Sequence, residues 1–387
     1  MWTSAFLRLA PLLGLLALFS GCRATPALSP NYREFAYVTN GDSDTVTAID
    51  LRGLRVAATV HVGKSPTGMA ANPAKNEIYV ANTDSNNISI IDAETNNVVS
   101  TIGVHRAPFS VDVSADGSRA YVANSGSANL SVIDLNQRKV LRTIQVGNGS
   151  NLARSTGDGK LVLVVLRNED SVAVIDTANL SLRSKIKVCA KPEEIGLLPD
   201  SSKAFIACPS SDEVAVVDLK HDGLLALLDV GKTPIFVAVK PDGGEVFVCN
   251  FNSSSVSEII SNSNEVNGSF LIGNQPVRAL VSPDNALLFV SNFGSDSVAI
   301  YSIDNGKWIG SAAVGSHPEA MALSPNELLL LVVNTASGDL TVMELTDSKG
   351  RPRAQAQPQT PAFPIATMIP LGKSPRAIVV KAFVSQK

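Results

Sequence analysis

One-sided charge, cysteine, histidine and aromatic residues are all scarce in this chain of 387 residues, and each scarcity removes a class of function. Its 32 lysines and arginines stand against 35 acidic residues. A protein that grips nucleic acid through the phosphates needs a marked basic excess, so nucleic acid is not an expected partner. Four cysteines with no Cys-x-x-Cys make neither a disulfide-dense scaffold nor a zinc knuckle. The four histidines, His61, His105, His221 and His317, are too widely spaced for a local metal motif, and no metal is expected. Neither a Gly-rich phosphate loop nor a nucleophile elbow is present, so no catalytic residues and no cofactor are nominated. Disorder is excluded as well, because 45% of the residues are hydrophobic and only 17% charged. The balance describes a large, aliphatic, nearly neutral globular protein, expected to be a monomer.

The first 22 residues carry an address. Arg8 precedes an apolar run over 9–19, and Ser20-Gly21-Cys22 follows it. The run is short and interrupted by Pro11, which suits a signal peptide better than a membrane-spanning helix. The small residues directly before Cys22 resemble the bacterial lipobox, with Phe19 standing where leucine is usual. That resemblance implies lipidation of Cys22, removal of residues 1–21 and a tether over 22–34. An ordinary secretory peptide with an incidental cysteine is the alternative. Acyl chains at Cys22 would make the membrane a partner and place the protein in the cell envelope. Arg23 rather than aspartate follows the cysteine, which by analogy favours the outer membrane, on its periplasmic side or at the cell surface.

A repeat governs the rest of the chain. Tyr37-Val-Thr-Asn recurs as Tyr79-Val-Ala-Asn and Tyr121-Val-Ala-Asn, then continues at Leu163, Phe205, Phe247, Phe289 and Leu331. Each step is 42 residues, with no insertion across eight copies. Around each anchor lie three more short, β-branched runs bounded by Asn, Asp, Gly or Pro. In the second copy these cover 88–92, 98–102 and 108–113. Four strands per 42 residues is the blade of a β-propeller, an all-β fold of four-stranded antiparallel sheets. From the centre outward the strands are termed a (the Pro-x-x-apolar run), b (the anchor), c (Val-x-Ile-Asp) and d.

The chain begins b-c-d and passes through seven complete units that start at Pro66, Pro108, Ser150, Pro192, Pro234, Pro276 and Pro318. It ends on a lone strand a over 375–381. Pairing that strand with the N-terminal b-c-d makes an eighth blade, whereas an open ring would expose two sheet edges. The segments Gly63-Lys-Ser-Pro66 and Gly372-Lys-Ser-Pro375 are identical, as equivalent approaches to strand a should be. A single domain over 35–381 is therefore expected, with 382–387 as a tail. Seven blades with one dangling repeat is the alternative, because Ala27-Leu-Ser-Pro30 resembles the end of a strand a.

These repeats resemble the YVTN-type β-propeller family, whose strand-b motif Tyr37-Val-Thr-Asn40 carries literally. The resemblance covers nearly all of the mature chain. It implies the fold and leaves function open among three classes. The first and favoured one is a non-enzymatic, lipid-anchored binding or scaffold protein of the cell envelope, for a protein partner or a polar ligand. The second is a cofactor-binding propeller or assembly factor similar to eight-bladed haem d1-binding proteins. It would need an axial ligand near the channel, for which His105 and His317 on two d–a loops are the candidates. The third, a propeller lactonase or lyase, would need a Glu, His, Asn or Asp cluster at the channel that the register does not assemble.

Several conspicuous residues have structural readings. Asp50, Asp92, Asp134, Asp176 and Asp218 end successive c strands, where a carboxylate accepts N–H bonds from the following turn. Asn40, Asn82, Asn124, Asn250, Asn292 and Asn334 are expected to close the b–c loops in left-handed backbone. Lys240-Pro-Asp-Gly243 and Ser282-Pro-Asp-Asn285 read as a–b hairpin turns. Cys189 and Cys208 flank the a and b strands of one blade, as either an envelope disulfide or two buried thiols, and Cys249 reads as a core residue.

Topology singles out one face, where the d–a and b–c loops share a rim of the channel. Lys64, Arg106, Lys232 and Lys373 lie in d–a loops there, and Arg278 and Arg376 at the starts of strands a; Glu193, Glu194 and Glu319 occupy matching positions. This mixed-charge mouth is the candidate binding rim, and a merely solvated rim has the same composition. The one departure from strict period is a Pro- and Gln-rich loop over 346–364 between strands c and d of the last blade.

Overall fold

The computed structural model describes residues 29–345 and 363–385. The expected signal peptide, Cys22, the expected tether up to residue 28, most of the expected Pro- and Gln-rich loop (346–362) and residues 386–387 lie outside the described residues. Eight four-stranded antiparallel sheets make up the described chain, together with a few one-turn 3-10 segments. Among the described residues no helix is long and apolar enough to cross a membrane.

Blade 1 is built from both ends of the chain. Its order is β3 (Arg55–His61), β2 (Thr45–Asp50), β1 (Tyr32–Asn40) and β32 (Pro375–Val384). Strand β32 runs antiparallel to β1, with Phe35 opposite Lys381 and Val38 opposite Ile378. The ring therefore closes with eight blades, and the seven-bladed alternative is excluded. The pairing is longer than the sequence indicates, since Tyr32 lies opposite Val384. Residues 32–34 of the expected tether and 382–384 of the expected tail thus belong to the sheet, because each supplies backbone partners to the other. Blade 8 adds a side-chain clamp: the Asn326 backbone N–H and Nδ2 both donate to the buried Glu34 carboxylate, each at 3.0 Å.

The core lies between blades. The anchors Tyr37, Tyr79, Tyr121, Leu163, Phe205, Phe247, Phe289 and Leu331 are all at most 1% exposed. Each apolar cluster joins residues of two successive blades, as where Tyr79 and Ile90 pack with Val122 and Ile133. Alternation along strand b sends one side chain to each neighbouring blade, so burying both faces needs a continuous ring.

The turns follow their expected chemistry in two of three cases. The Asp92 and Asp176 carboxylates accept backbone N–H bonds from residues two further on, at 2.8 and 2.9 Å. At the a–b tips the Gly243 N–H donates to the Lys240 carbonyl and the Asn285 N–H to the Ser282 carbonyl. The strand-b asparagines are the exception. Asn40, Asn250 and Asn292 have extended backbone, with φ of −116°, −101° and −108°. The left-handed residue comes four positions later, as at Asp44, Ser254 and Asp296. The asparagines are buried and used for hydrogen bonding: Asn82 Nδ2 reaches Asn87 Oδ1 and Ser89 Oγ at 2.8 and 2.9 Å. A glycine in the d–a loop makes room for five of the six, His105 standing at that position for Asn124, and a Cβ on Gly63 would sit 2.7 Å from Asn82.

A second left-handed residue precedes every strand a, at Ser65, Ala107, Gly149, Lys191, Thr233, Gln275, His317 and Ser374. In seven blades its carbonyl accepts the N–H of the b–c loop residue that follows strand b, as from Thr83 to Ser65. Blade 5 has Pro209 at that position, which has no N–H to give. There Cys189 and Cys208 are joined in a disulfide with a Cα–Cα distance of 5.7 Å. Stepping by 42 residues, these two cysteines occupy the Gly63 and Asn82 positions of the repeat. The covalent link thus stands where the glycine–asparagine packing and the repeated hydrogen bond are both missing. Cys249 is free and buried, and burial pushes its thiol up to about 12.

Candidate functional site

The innermost strands of blades 4 to 7 are β12 (Ser150–Ser155), β16 (Glu194–Leu197), β20 (Pro234–Val239) and β24 (Pro276–Val281). They bring three charged side chains and one ring together at the channel wall. Glu194 is 8% exposed, and both of its oxygens are engaged. Its Oε1 lies 3.4 Å from Arg154 Nη2, and its Oε2 lies 3.2 Å from Arg278 Nη1. Arg154 belongs to blade 4 and Arg278 to blade 7, so the second contact passes over blade 6. The Arg278 guanidinium makes that passage stacked on Phe236, 4.6 Å from the ring centroid. Among the described residues this is the one ion pair that skips a blade; the others stay within a blade or join neighbours. Beside it, Asp112 Oδ2 accepts the Ser155 N–H at 2.7 Å and its hydroxyl at 2.5 Å.

This geometry redistributes the residues that sequence placed on one rim. Arg278 is part of the channel wall, reached by a register position that gave no hint of its partner 84 residues away. Lys232 is tied by its Nζ to Asp212 at 2.8 Å, and the Arg106 guanidinium donates to the Gly126 carbonyl at 2.9 Å. The Lys232 ammonium is the main cause holding the Asp212 carboxyl below its usual range. Lys64, Lys373 and Arg376 are exposed on the loops and strand start of blades 1 and 2. Acidic residues are interleaved with them, since the Asp84 N–H donates to the Lys64 carbonyl and the Asp42 N–H to that of Lys373. Glu193 pairs with Arg167 at 3.3 Å and Glu319 accepts the Thr335 hydroxyl at 2.8 Å.

The two histidine candidates do not meet. His105 stands at the glycine position of the repeat and its Nε2 lies 3.1 Å from Thr143 Oγ1, on the outermost strand β11 (Lys139–Gln145) of blade 3. That directs the ring away from the channel. The His317 ring stacks on Phe293 with centroids 4.1 Å apart, and the His317 backbone N–H donates to the Asp296 carboxylate. Among the described residues no group of three or more His, Cys, Asp or Glu side chains converges to hold a metal ion. Arg154 and Phe236 were not singled out from sequence. The signal for both lies in aligning strands a, where small or aliphatic residues predominate in the other blades.

Two family models match parts of the chain: a YNCE-like β-propeller over residues 31–153, and a seven-bladed β-propeller lactonase over 265–363. Both matches fall on the 42-residue repeat that builds the blades. The chain is a β-propeller repeat protein whose repeats resemble the YVTN type. Solved structures similar to this YVTN-type propeller include dihydro-heme d1 dehydrogenase NirN in complex with DHE. That likeness has 13% identity and a TM-score of 0.74, covering 89% of this chain and 74% of that one. Hydrazine synthase of Kuenenia stuttgartiensis is 20% identical with a TM-score of 0.58, covering 69% and 91%. A functionally unknown protein from Desulfotomaculum acetoxidans is 14% identical with a TM-score of 0.59, covering 89% and 98%. At these identities the likeness is one of fold. No curated protein matches the chain in sequence.

Proposed function

We propose that this YVTN-type propeller is a non-enzymatic binding protein of the cell envelope, held to the outer membrane by acyl chains on Cys22. Its mixed-charge channel mouth takes a polar ligand or a protein partner. The observation that carries the reading is the Arg154–Glu194–Arg278 cluster. Burying the Glu194 carboxylate between two half-exposed arginines costs desolvation that an apolar side chain would avoid, so such a cluster is poorly explained by stability alone. A concave site with a few convergent polar groups is what ligand recognition requires. The cofactor reading is less supported, because an axial His or Tyr near the channel is needed, whereas His105 is turned toward the outermost strand and His317 stacks on Phe293.

Two measurements test this. Cys22→Ala in the full-length chain should abolish labelling by a palmitate analogue and release the protein from the membrane fraction. Cross-linking capture from envelope membranes should recover a partner or ligand with the wild-type protein, and less of it with Glu194→Gln/Arg278→Gln. Unchanged labelling in the first experiment removes the anchor, and equal recovery by both proteins in the second removes the channel.

A further inference from the structure

We propose that the channel of this propeller binds the carboxylate of a small organic acid between Arg154 and Arg278, on the side away from Glu194. The inference rests on the binding-protein reading and gives its ligand a chemical class. Arg154 and Arg278 flank one nearly buried carboxylate, which leaves the cluster with a net charge of +1. Each guanidinium carries five N–H donors in a planar fork, and each gives only one to Glu194. The two side chains stand on innermost strands and keep 37% and 38% of their surface exposed, so a ligand in the channel can reach them. The charges alternate along the cluster, with one carboxylate between two guanidiniums. A carboxylate is the group whose two oxygens match guanidinium forks, and charge-assisted bonds of this kind are the stronger ones.

The surrounding charges favour a monoanion. Asp112 lies on the neighbouring strand β8 (Pro108–Val113), and Glu193 precedes Glu194 on the rim, paired with Arg167. A dianion such as phosphate would overturn the +1 of the cluster and meet these carboxylates. Phe236 fixes the Arg278 plane, so the fork is oriented before the ligand arrives and little order is lost on binding. Glu194 acts as a positioning residue that sets both arginines at one spacing.

The test is isothermal titration of the full-length protein at low salt with benzoate, acetate, benzamide and inorganic phosphate. Benzoate should bind at least tenfold more tightly than benzamide, its neutral isostere, and acetate should compete with it. Arg154→Lys and Arg278→Lys keep the charge but lose the fork, and should weaken benzoate at least tenfold. Because a single truncation strands a buried charge, Glu194→Gln/Arg278→Gln removes both signs together; it should fold and lose benzoate. Equal affinity for benzoate and benzamide, tighter binding of phosphate, or benzoate binding unchanged in the paired variant overturns the proposal. If carboxylates fail to bind while wild-type protein still captures an envelope partner, only this inference falls. Where neither occurs, the binding-protein reading falls with it.

Discussion

Loss of the Cys189–Cys208 link should lower stability by an amount that follows from its place in the chain. The bond closes a loop of 19 residues, and chain-entropy reasoning assigns such a closure about 3 kcal/mol. Unfolding entropy of about 2.1 cal/mol/K per residue, over about 340 described residues, comes to roughly 0.7 kcal/mol/K. The expected fall in Tm for Cys189→Ala/Cys208→Ala is therefore about 4 °C. Cys189→Gly/Cys208→Asn should fall less, since it restores the pairing used in other blades, although Pro209 still withholds its N–H. Non-reducing calorimetry of the three proteins gives the comparison, with peptide mapping to confirm the bond. A Tm unchanged by the double alanine variant, or free alkylation of both thiols in the native protein, refutes the reasoning.

Two further outcomes are expected. Gly231→Ala would place a Cβ 2.4 Å from Ser253 Oγ and 2.7 Å from Asn250, and should cost about 1–3 kcal/mol in denaturant unfolding. Gly223→Ala, which meets nothing within 4 Å, is its neutral control. Asp116 is drawn from 3.8 to about 2, chiefly by the Ser114 hydroxyl and then by the Ser118 N–H and hydroxyl. Because the folded value is the lower one, its stabilisation is complete above about pH 4 and disappears as pH falls toward 2. The stability gap between wild type and Asp116→Asn should close over that window, and a gap independent of pH would contradict the assignment.

The architecture was legible because the repeat writes each strand in the same register eight times. The anchors at Tyr37 through Leu331 have to face neighbouring blades, and closure follows from counting b-c-d at one end and a at the other. The asparagine roles were harder to read. Asparagine is common in left-handed turns, and only the three-dimensional pairing of Gly63 with Asn82 shows that its side chain is buried and spent on strand c. The disulfide was one of two readings, yet the register already placed Cys189 and Cys208 on the Gly63 and Asn82 positions. The channel cluster was mostly hidden. Arg278 was assigned to the rim because it opens a strand a, whereas its partner Glu194 lies two blades away, a separation no local pattern encodes.

The channel exists only if the ring is closed by β32, and hydrogen–deuterium exchange of the full-length protein tests that without altering the chain. In the closed ring β1 lies between β2 and β32, so its amides have partners on both sides. They should exchange as slowly as those of β9 (Arg119–Asn124), the equivalent strand in blade 3. An open or seven-bladed ring would leave β1 as an edge strand. Amides over 35–39 that exchange as fast as those of the outermost strand β3 would contradict the account.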